Sequence, residues 1–127
     1  MRWSVFLLAL IPAFAEPLPE VMDLLRNQAE ALANREPALF LEGFDRAMPG
    51  FAKLQEEIEA LAAVEVASSV EVLRDEGDAQ VRSMQLDWLL KIGREQPRRA
   101  ILKCRVERQG RKWKITSLEP IEFFAGP

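Results

Sequence analysis

Val64-Glu65-Val66-Ala67-Ser68-Ser69-Val70-Glu71-Val72 divides the chain. Val64, Val66, Ser68, Val70 and Val72 fall on one side of this stretch, and Glu65, Ala67, Ser69 and Glu71 on the other, which is the period-two pattern of a half-buried strand. Upstream of it the period is helical. After Pro17 and Pro19, the positions Val21, Leu24, Leu25, Gln28 and Leu32 repeat at three and four residues, a single buried stripe whose lone polar member, Gln28, needs an edge or a partner. Asn34 marks the stop. Pro37 opens a second, shorter helix with Phe40, Leu41 and Phe44 on its apolar face, and Met48-Pro49-Gly50 ends it. A third carries Phe51, Leu54, Ile58 and Leu61 inward, with Lys53, Glu56 and Glu57 on the wet side.

Downstream the pattern stays alternating. Asp75-Glu76-Gly77-Asp78 reads as a hairpin turn, and Met84, Leu86, Trp88, Leu90 and Ile92 form the inward side of a second strand. Val81 is out of phase with Met84, so a bulge is expected near Arg82-Ser83. A third strand sets Ala100, Leu102, Cys104 and Val106 inward and Ile101, Lys103, Arg105 and Glu107 outward. Gln109-Gly110 turns the chain into a last strand with Trp113 and Ile115 inward, then Ile121 and Phe123 beyond a second bulge after Ser117. The expected class is therefore α+β: three N-terminal helices packed on a curved four-stranded antiparallel sheet.

The whole chain has 127 residues, 49% hydrophobic and 29% charged, with 17 basic against 20 acidic side chains, which fits one globular domain. There is no His and no Tyr, so serine–histidine triads, imidazole metal sites and phenolic acids are excluded. The first residues read as an address. Met1-Arg2 is positive, Trp3 to Ile11 is apolar apart from Ser4, and Ala13-Phe14-Ala15 places small residues where a signal peptidase cuts. Residues 1–15 are thus an expected signal peptide and 16–127 one domain, exported to a bacterial periplasm or the medium. The apolar run is too short to span a bilayer, and neither Asn27 nor Asn34 begins a glycosylation acceptor.

Three helices followed by a meander of long strands resembles the nuclear transport factor 2-like, or cystatin-like, cone fold. The stretches that carry the resemblance are Glu30-Ala31-Leu32-Ala33-Asn34-Arg35-Glu36-Pro37-Ala38-Leu39-Phe40 and Gly110-Arg111-Lys112-Trp113-Lys114-Ile115-Thr116-Ser117-Leu118. It implies helices closing one face of a curved sheet. It also implies a choice of functions, since ketosteroid isomerases, polyketide cyclases, dehydratases and non-catalytic binding or dimerisation domains share that fold.

Isomerases of this fold set a carboxylate base against a Tyr or a protonated acid, and the dehydratases and cyclases use His with Asp; this chain lacks the His and the Tyr. The carboxylates left are Asp45, Asp87 and Glu119. Asp87, between Leu86 and Trp88, points away from the cone toward Lys103 or Lys91; Asp45 ends the second helix; Glu119 reaches inward if the bulge restores the phase. One carboxylate is not an acid–base pair. Cys104, the single cysteine, sits among apolar inward positions as inert filler. No metal site and no cofactor are expected. Phe51, Met84, Trp88, Cys104, Trp113, Glu119 and Phe123 are the candidates for a ligand pocket, although the apolar ones are spaced as core positions and core is the preferred reading.

Charge is unevenly placed. Between Arg94 and Lys114 the nine basic residues Arg94, Arg98, Arg99, Lys103, Arg105, Arg108, Arg111, Lys112 and Lys114 stand against only Glu95 and Glu107, while the helical part of the chain is acidic. Few aromatics interleave these cations, so nucleic acid is not the expected partner. On the outer sheet face Leu89, Ile101 and Leu118 stand among Asp87, Lys103 and Arg105, a patch that calls for cover and suggests a homodimer joined sheet to sheet. The reading at this point is an exported, non-catalytic binding domain, taking a small apolar ligand in the cone or a protein partner. The alternative is a small isomerase or cyclase using a pocket carboxylate.

Overall fold

A computed structural model describes residues 18–126; the expected signal peptide and its cleavage point before Glu16 lie outside the described residues. Helix α1 spans Pro19–Ala33, α2 Pro37–Glu42 and α3 Phe51–Leu61. Four strands follow, β1 Val66–Gly77, β2 Val81–Ile92, β3 Arg98–Gln109 and β4 Lys112–Glu119, and a 3-10 turn, Ile121–Phe124, ends the fold. The sheet is an antiparallel meander in the order β1-β2-β3-β4. None of the described helices is long and apolar enough to cross a membrane.

Proline at the first turn starts both α1 and α2, where a missing N–H costs nothing. α1 stops through local backbone geometry: Arg35 adopts a φ of 57°, its N–H donates to the Leu32 carbonyl at 3.2 Å, and the Glu36 N–H reaches the Ala31 carbonyl at 2.9 Å. The chain therefore reverses tightly into α2. α2 ends at Glu42, one turn earlier than the sequence suggests. Phe44 has left the helix and bridges Ile115 in parallel, flanked by Ile115 N–H to the Gly43 carbonyl at 2.8 Å and Asp45 N–H to the Ile115 carbonyl at 2.9 Å. These bonds pair part of the free edge of β4.

The strands depart from simple alternation at two bulges, and neither lies at Arg82-Ser83. One is in β1, where Val72 pairs with Leu86 and Arg74 with Gln85, leaving Leu73 as the extra residue. The other is in β4, where Arg105 pairs with Ser117 and Val106 with Ile115, leaving Thr116 extra. Each bulge inverts the faces beyond it. In β1 it turns Asp75 inward and Arg74 outward, and the strand runs on to Gly77, so Asp75 belongs to a strand and not to a turn. The turn is made by Asp78, whose carboxylate accepts the N–H groups of Gln80 and Val81, both at 2.8 Å.

In β4 the bulge reverses two expected positions. Leu118 is 3% exposed and lies under the helices, not on the outer face, while Glu119 is exposed and points out of the cone, opposite Lys103 in register. Asp75, Met84, Cys104 and Leu118 consequently form one row across all four strands on the inner surface. Ile121 and Phe123 do not extend β4. They sit in the 3-10 turn, which lets adjacent Phe123 and Phe124 both bury their rings, where a strand would send one of them out.

Candidate functional site

Between helices and sheet the centre of the cone, around Trp88, is filled, while a pocket of about 330 Å³ remains between α1 and β1, lined by Leu25, Ala29, Ser68, Val70 and Val72 among others. Trp88, Phe40, Phe124, Leu86, Leu102 and Ile115 have no exposed surface. Phe124 seals the aromatic cluster, with its ring centroid 5.2 Å from Trp88 and 5.6 Å from Phe40, edge-to-face or tilted as aromatic quadrupoles prefer. The Trp88 indole N–H donates to Ser68 Oγ at 2.9 Å, so the one polar group of the cluster is satisfied inside the protein.

The last residues hold that seal in place. The Arg98 guanidinium donates to the carbonyls of Phe123 at 2.9 Å and Ala125 at 2.7 Å, and Glu57 accepts the Gly126 N–H at 2.5 Å. That bond, before the nearby Lys53 and Arg98 charges, holds the Glu57 carboxyl below its ordinary range. Sequence reasoning missed Phe124, because alternation allots one inward position to a Phe-Phe pair and Phe123 had taken it.

Of the expected pocket residues, Met84, Trp88, Cys104 and Phe123 are core, and Phe51 is partly buried against it. Trp113 is 5% exposed and borders a groove outside the cone, with its indole N–H unpartnered. Burial, with the Asp75 charge second, pushes the Cys104 thiol up from 9.0 to about 12, so it is an inert thiol at neutral pH.

One ionised pair does enter the interior. Arg82 and Asp75, whose side chains are 10% and 9% exposed, meet through Nε to Oδ1 at 2.8 Å and Nη2 to Oδ2 at 3.0 Å. Nη1 donates to the Asp78 carbonyl at 2.9 Å. The pair lies at the β1–β2 hairpin end of the cone and satisfies its own charges, so it presents neither a free base nor a free acid.

The other carboxylates named from the sequence are also engaged. Asp45 accepts the Ala47 N–H and the Gln109 side-chain amide, both at 2.8 Å, and these bonds, with the Lys114 charge after them, lower its pKa. Asp87 lies on the outer face as expected, but its partner is Arg99, not Lys103 or Lys91, in a two-pronged contact of 2.6–3.2 Å. That hydrogen bonding lowers the Asp87 pKa and raises that of Arg99. Asp45, Asp87 and Glu119 lie apart from one another, on the β4 side of the helical layer and at separate points of the outer face. Among the described residues no three Cys, Asp or Glu side chains converge as a metal site would require.

The outer sheet face keeps two of its three expected aliphatics. Leu89 is 41% and Ile101 58% exposed. They are diagonal neighbours, since Ile101 pairs with Asp87 and Leu89 with Arg99. β1 supplies outward Glu71 and the Arg74–Glu76 pair, and β3 supplies Lys103 with Arg99 and Arg105, which are paired to Asp87 and Glu107, so Glu71 on one flank and Lys103 on the other are left as the charges without an ion-pair partner among the described residues.

No protein-family model matches the chain, and no curated protein matches its sequence. Solved structures do match it. A nuclear transport factor 2-like protein of unknown function from Shewanella oneidensis superposes with a TM-score of 0.64 at 14% identity, over 78% of this chain and 93% of that one. A conserved protein from Planctomyces limnophilus gives 0.69 at 10% identity, over 78% and 90%. A domain of unknown function with a cystatin-like fold from Nostoc punctiforme gives 0.62 at 12%, over 77% and 72%. Three helices on an open, four-stranded antiparallel sheet, matched over most of the chain, make this a protein of the cystatin-like, nuclear transport factor 2-like fold.

Proposed function

We propose that the protein is an exported domain that acts by binding and not by catalysis, and that it works as a homodimer joined through the outer sheet face. The observation that carries this is the filled centre of the cone: Trp88, Phe40 and Phe124 pack on one another with no exposed surface, and the space left between α1 and β1 lies at the sheet edge. The position where an apolar ligand or a substrate would sit is occupied by the protein's own side chains, which leaves the outer surface for recognition. The apolar tract from Trp3 to Ile11 and the Ala13-Phe14-Ala15 site support export.

The charge layout supports self-association. A two-fold axis along β2 between facing sheets sets Glu71 of β1 in each copy over the Lys103 side of β3 in the other, and it buries Leu89 and Ile101 between them. Native mass spectrometry of the protein from its own host tests the whole reading. The expected species is a dimer of chains beginning at Glu16 with no retained small molecule, and Ile101→Glu converts it to monomer at tens of micromolar. A monomeric wild type removes the dimer, a chain beginning at Met1 removes export, and a retained apolar molecule restores the cone as the site.

A further inference from the structure

A groove of about 720 Å³ lies between α1, α2 and the start of β4, outside the cone and apart from the outer sheet face. Two of its lining residues have buried polar atoms without a partner: Gln28 Oε1, an acceptor, and Trp113 Nε1–H, a donor. Gln28 is 2% exposed and Trp113 5%. Buried polar groups are nearly always hydrogen-bonded, and an orphan costs roughly 1 to 3 kcal/mol. Gln28 moreover occupies a position in the α1 stripe where a leucine would pack without that cost. Its seat depends on Gly43, since a Cβ there would fall 1.9 Å from Gln28 Nε2.

The walls carry the second observation. Glu20, Glu30, Glu36 and Glu42 line the helical side, and among the described residues none of them enters an ion pair. Arg111, Lys112 and Lys114 stand at the β4 lip, the Lys114 ammonium engaged with the Glu42 carbonyl, so the acidic side chains still outnumber the basic ones in the groove. We propose that this groove binds a short, basic segment of polypeptide whose backbone amide meets Gln28 and Trp113 and whose lysine or arginine side chains meet the acidic wall. A peptide group offers one N–H and one C=O, the complement of the two orphans. A polyamine offers no acceptor to the indole N–H, and a polyanion is repelled by the helical wall. The groove volume falls within the range of sites for ligands of a few residues. The assignment rests on the reading that recognition takes place outside the cone.

Fluorescence anisotropy of a fluorescein-labelled Ala-Lys-Ala-Lys-Ala-Lys amide titrated with the purified protein tests it. Saturable binding is expected, weakened about tenfold by Gln28→Leu and by Trp113→Phe, and weakened also by Glu36→Gln, whose exposed position leaves folding intact. Gln28→Leu is expected to melt no lower than wild type. The assignment is overturned if the peptide does not bind saturably, if the Gln28, Trp113 and Glu36 variants bind as wild type does, or if spermidine displaces the labelled peptide as well as the unlabelled one. It is overturned too if Gln28→Leu melts well below wild type, since the amide then serves the fold. Light scattering on the same samples reads the dimer independently, so a failed titration of an intact dimer removes the groove and leaves the proposed function standing.

Discussion

Asp75→Asn probes the interior ion pair with the smallest change of shape. Arg82 and Asp75 are about nine-tenths buried and share two charge-assisted bonds of 2.8 and 3.0 Å, with a third from Arg82 to the Asp78 carbonyl. Removing the negative charge leaves an uncompensated guanidinium in the cone, with the Asp78 carbonyl and one amide oxygen as acceptors and an amide NH2 facing it in place of the second oxygen. Breaking a buried pair from one side costs about 3 to 5 kcal/mol, because the remaining charge has lost its compensation. Residual contact at the rim and the surviving Asp78 bond put the expectation at the lower end, about 3 kcal/mol. Arg82→Met should cost a similar amount. The double variant Asp75→Leu, Arg82→Met removes both charges and should cost no more than either single change, a coupling of about 3 kcal/mol. Urea titration at pH 7 measures each value, and unchanged m-values license the comparison. A loss below about 1 kcal/mol for Asp75→Asn, or simple additivity in the cycle, would mean that water reaches the pair and that Asp75 does not face the interior.

The Cys104 thiol supplies a pH test. Its pKa rises from 9.0 to about 12 on folding, so the unfolded chain releases the proton first, and stability falls as pH rises from about 9 towards 12. At pH 10 the loss should be about 1.4 kcal/mol relative to Cys104→Val, with none of the difference at pH 7; equal alkaline limbs in the two proteins would contradict the burial of the thiol. Phe124→Ala should cost about 3 to 5 kcal/mol and open a cavity beside Trp88, read by denaturant titration and by a red shift of the Trp88 emission. A loss under 1 kcal/mol would show that the C-terminal turn is not the seal.

What was legible in the sequence is what periodicity encodes. The α1 stripe and the Phe51, Leu54, Ile58 and Leu61 spacing of α3 predict the buried helix faces, and the alternation from Met84 to Ile92 predicts the central strand. The oddity of Gln28 in an apolar stripe was also visible, and it marks the groove. What was not legible turns on single residues. The extra residues at the bulges are Leu73 and Thr116, one apolar and one small, and either fits a pleated face on either side. Alternation counted through Thr116 misassigns Leu118, and a bulge placed after Ser117 instead of at Thr116 sends Glu119 inward when it points out. Asp75-Glu76-Gly77-Asp78 has the composition of a turn, yet Arg82 is available to satisfy Asp75 inside, and that pairing extends the strand through three of the four residues. Partners brought together by the fold decide such cases, and they are not adjacent in sequence.

The bulge in β1 also decides which charges the interior holds. Without Leu73 as an extra residue, Arg74 would face in beside Arg82, and two unpaired guanidinium groups would share the hairpin end of the cone. With it, Asp75 faces in and Arg74 goes out to Glu76 at 2.9 Å. The pair then sits about six residues along β2 from Trp88, roughly 20 Å, so it closes the hairpin end while Phe124 closes the cluster around Trp88. Neither closure changes the backbone plan that the chain shares with its solved neighbours at 10 to 14% identity. The groove beside α1 and α2 then has a buried acceptor at Gln28 and a buried donor at Trp113 without a partner among the described residues, and it is there that the proposed segment would recover the cost of two missing hydrogen bonds.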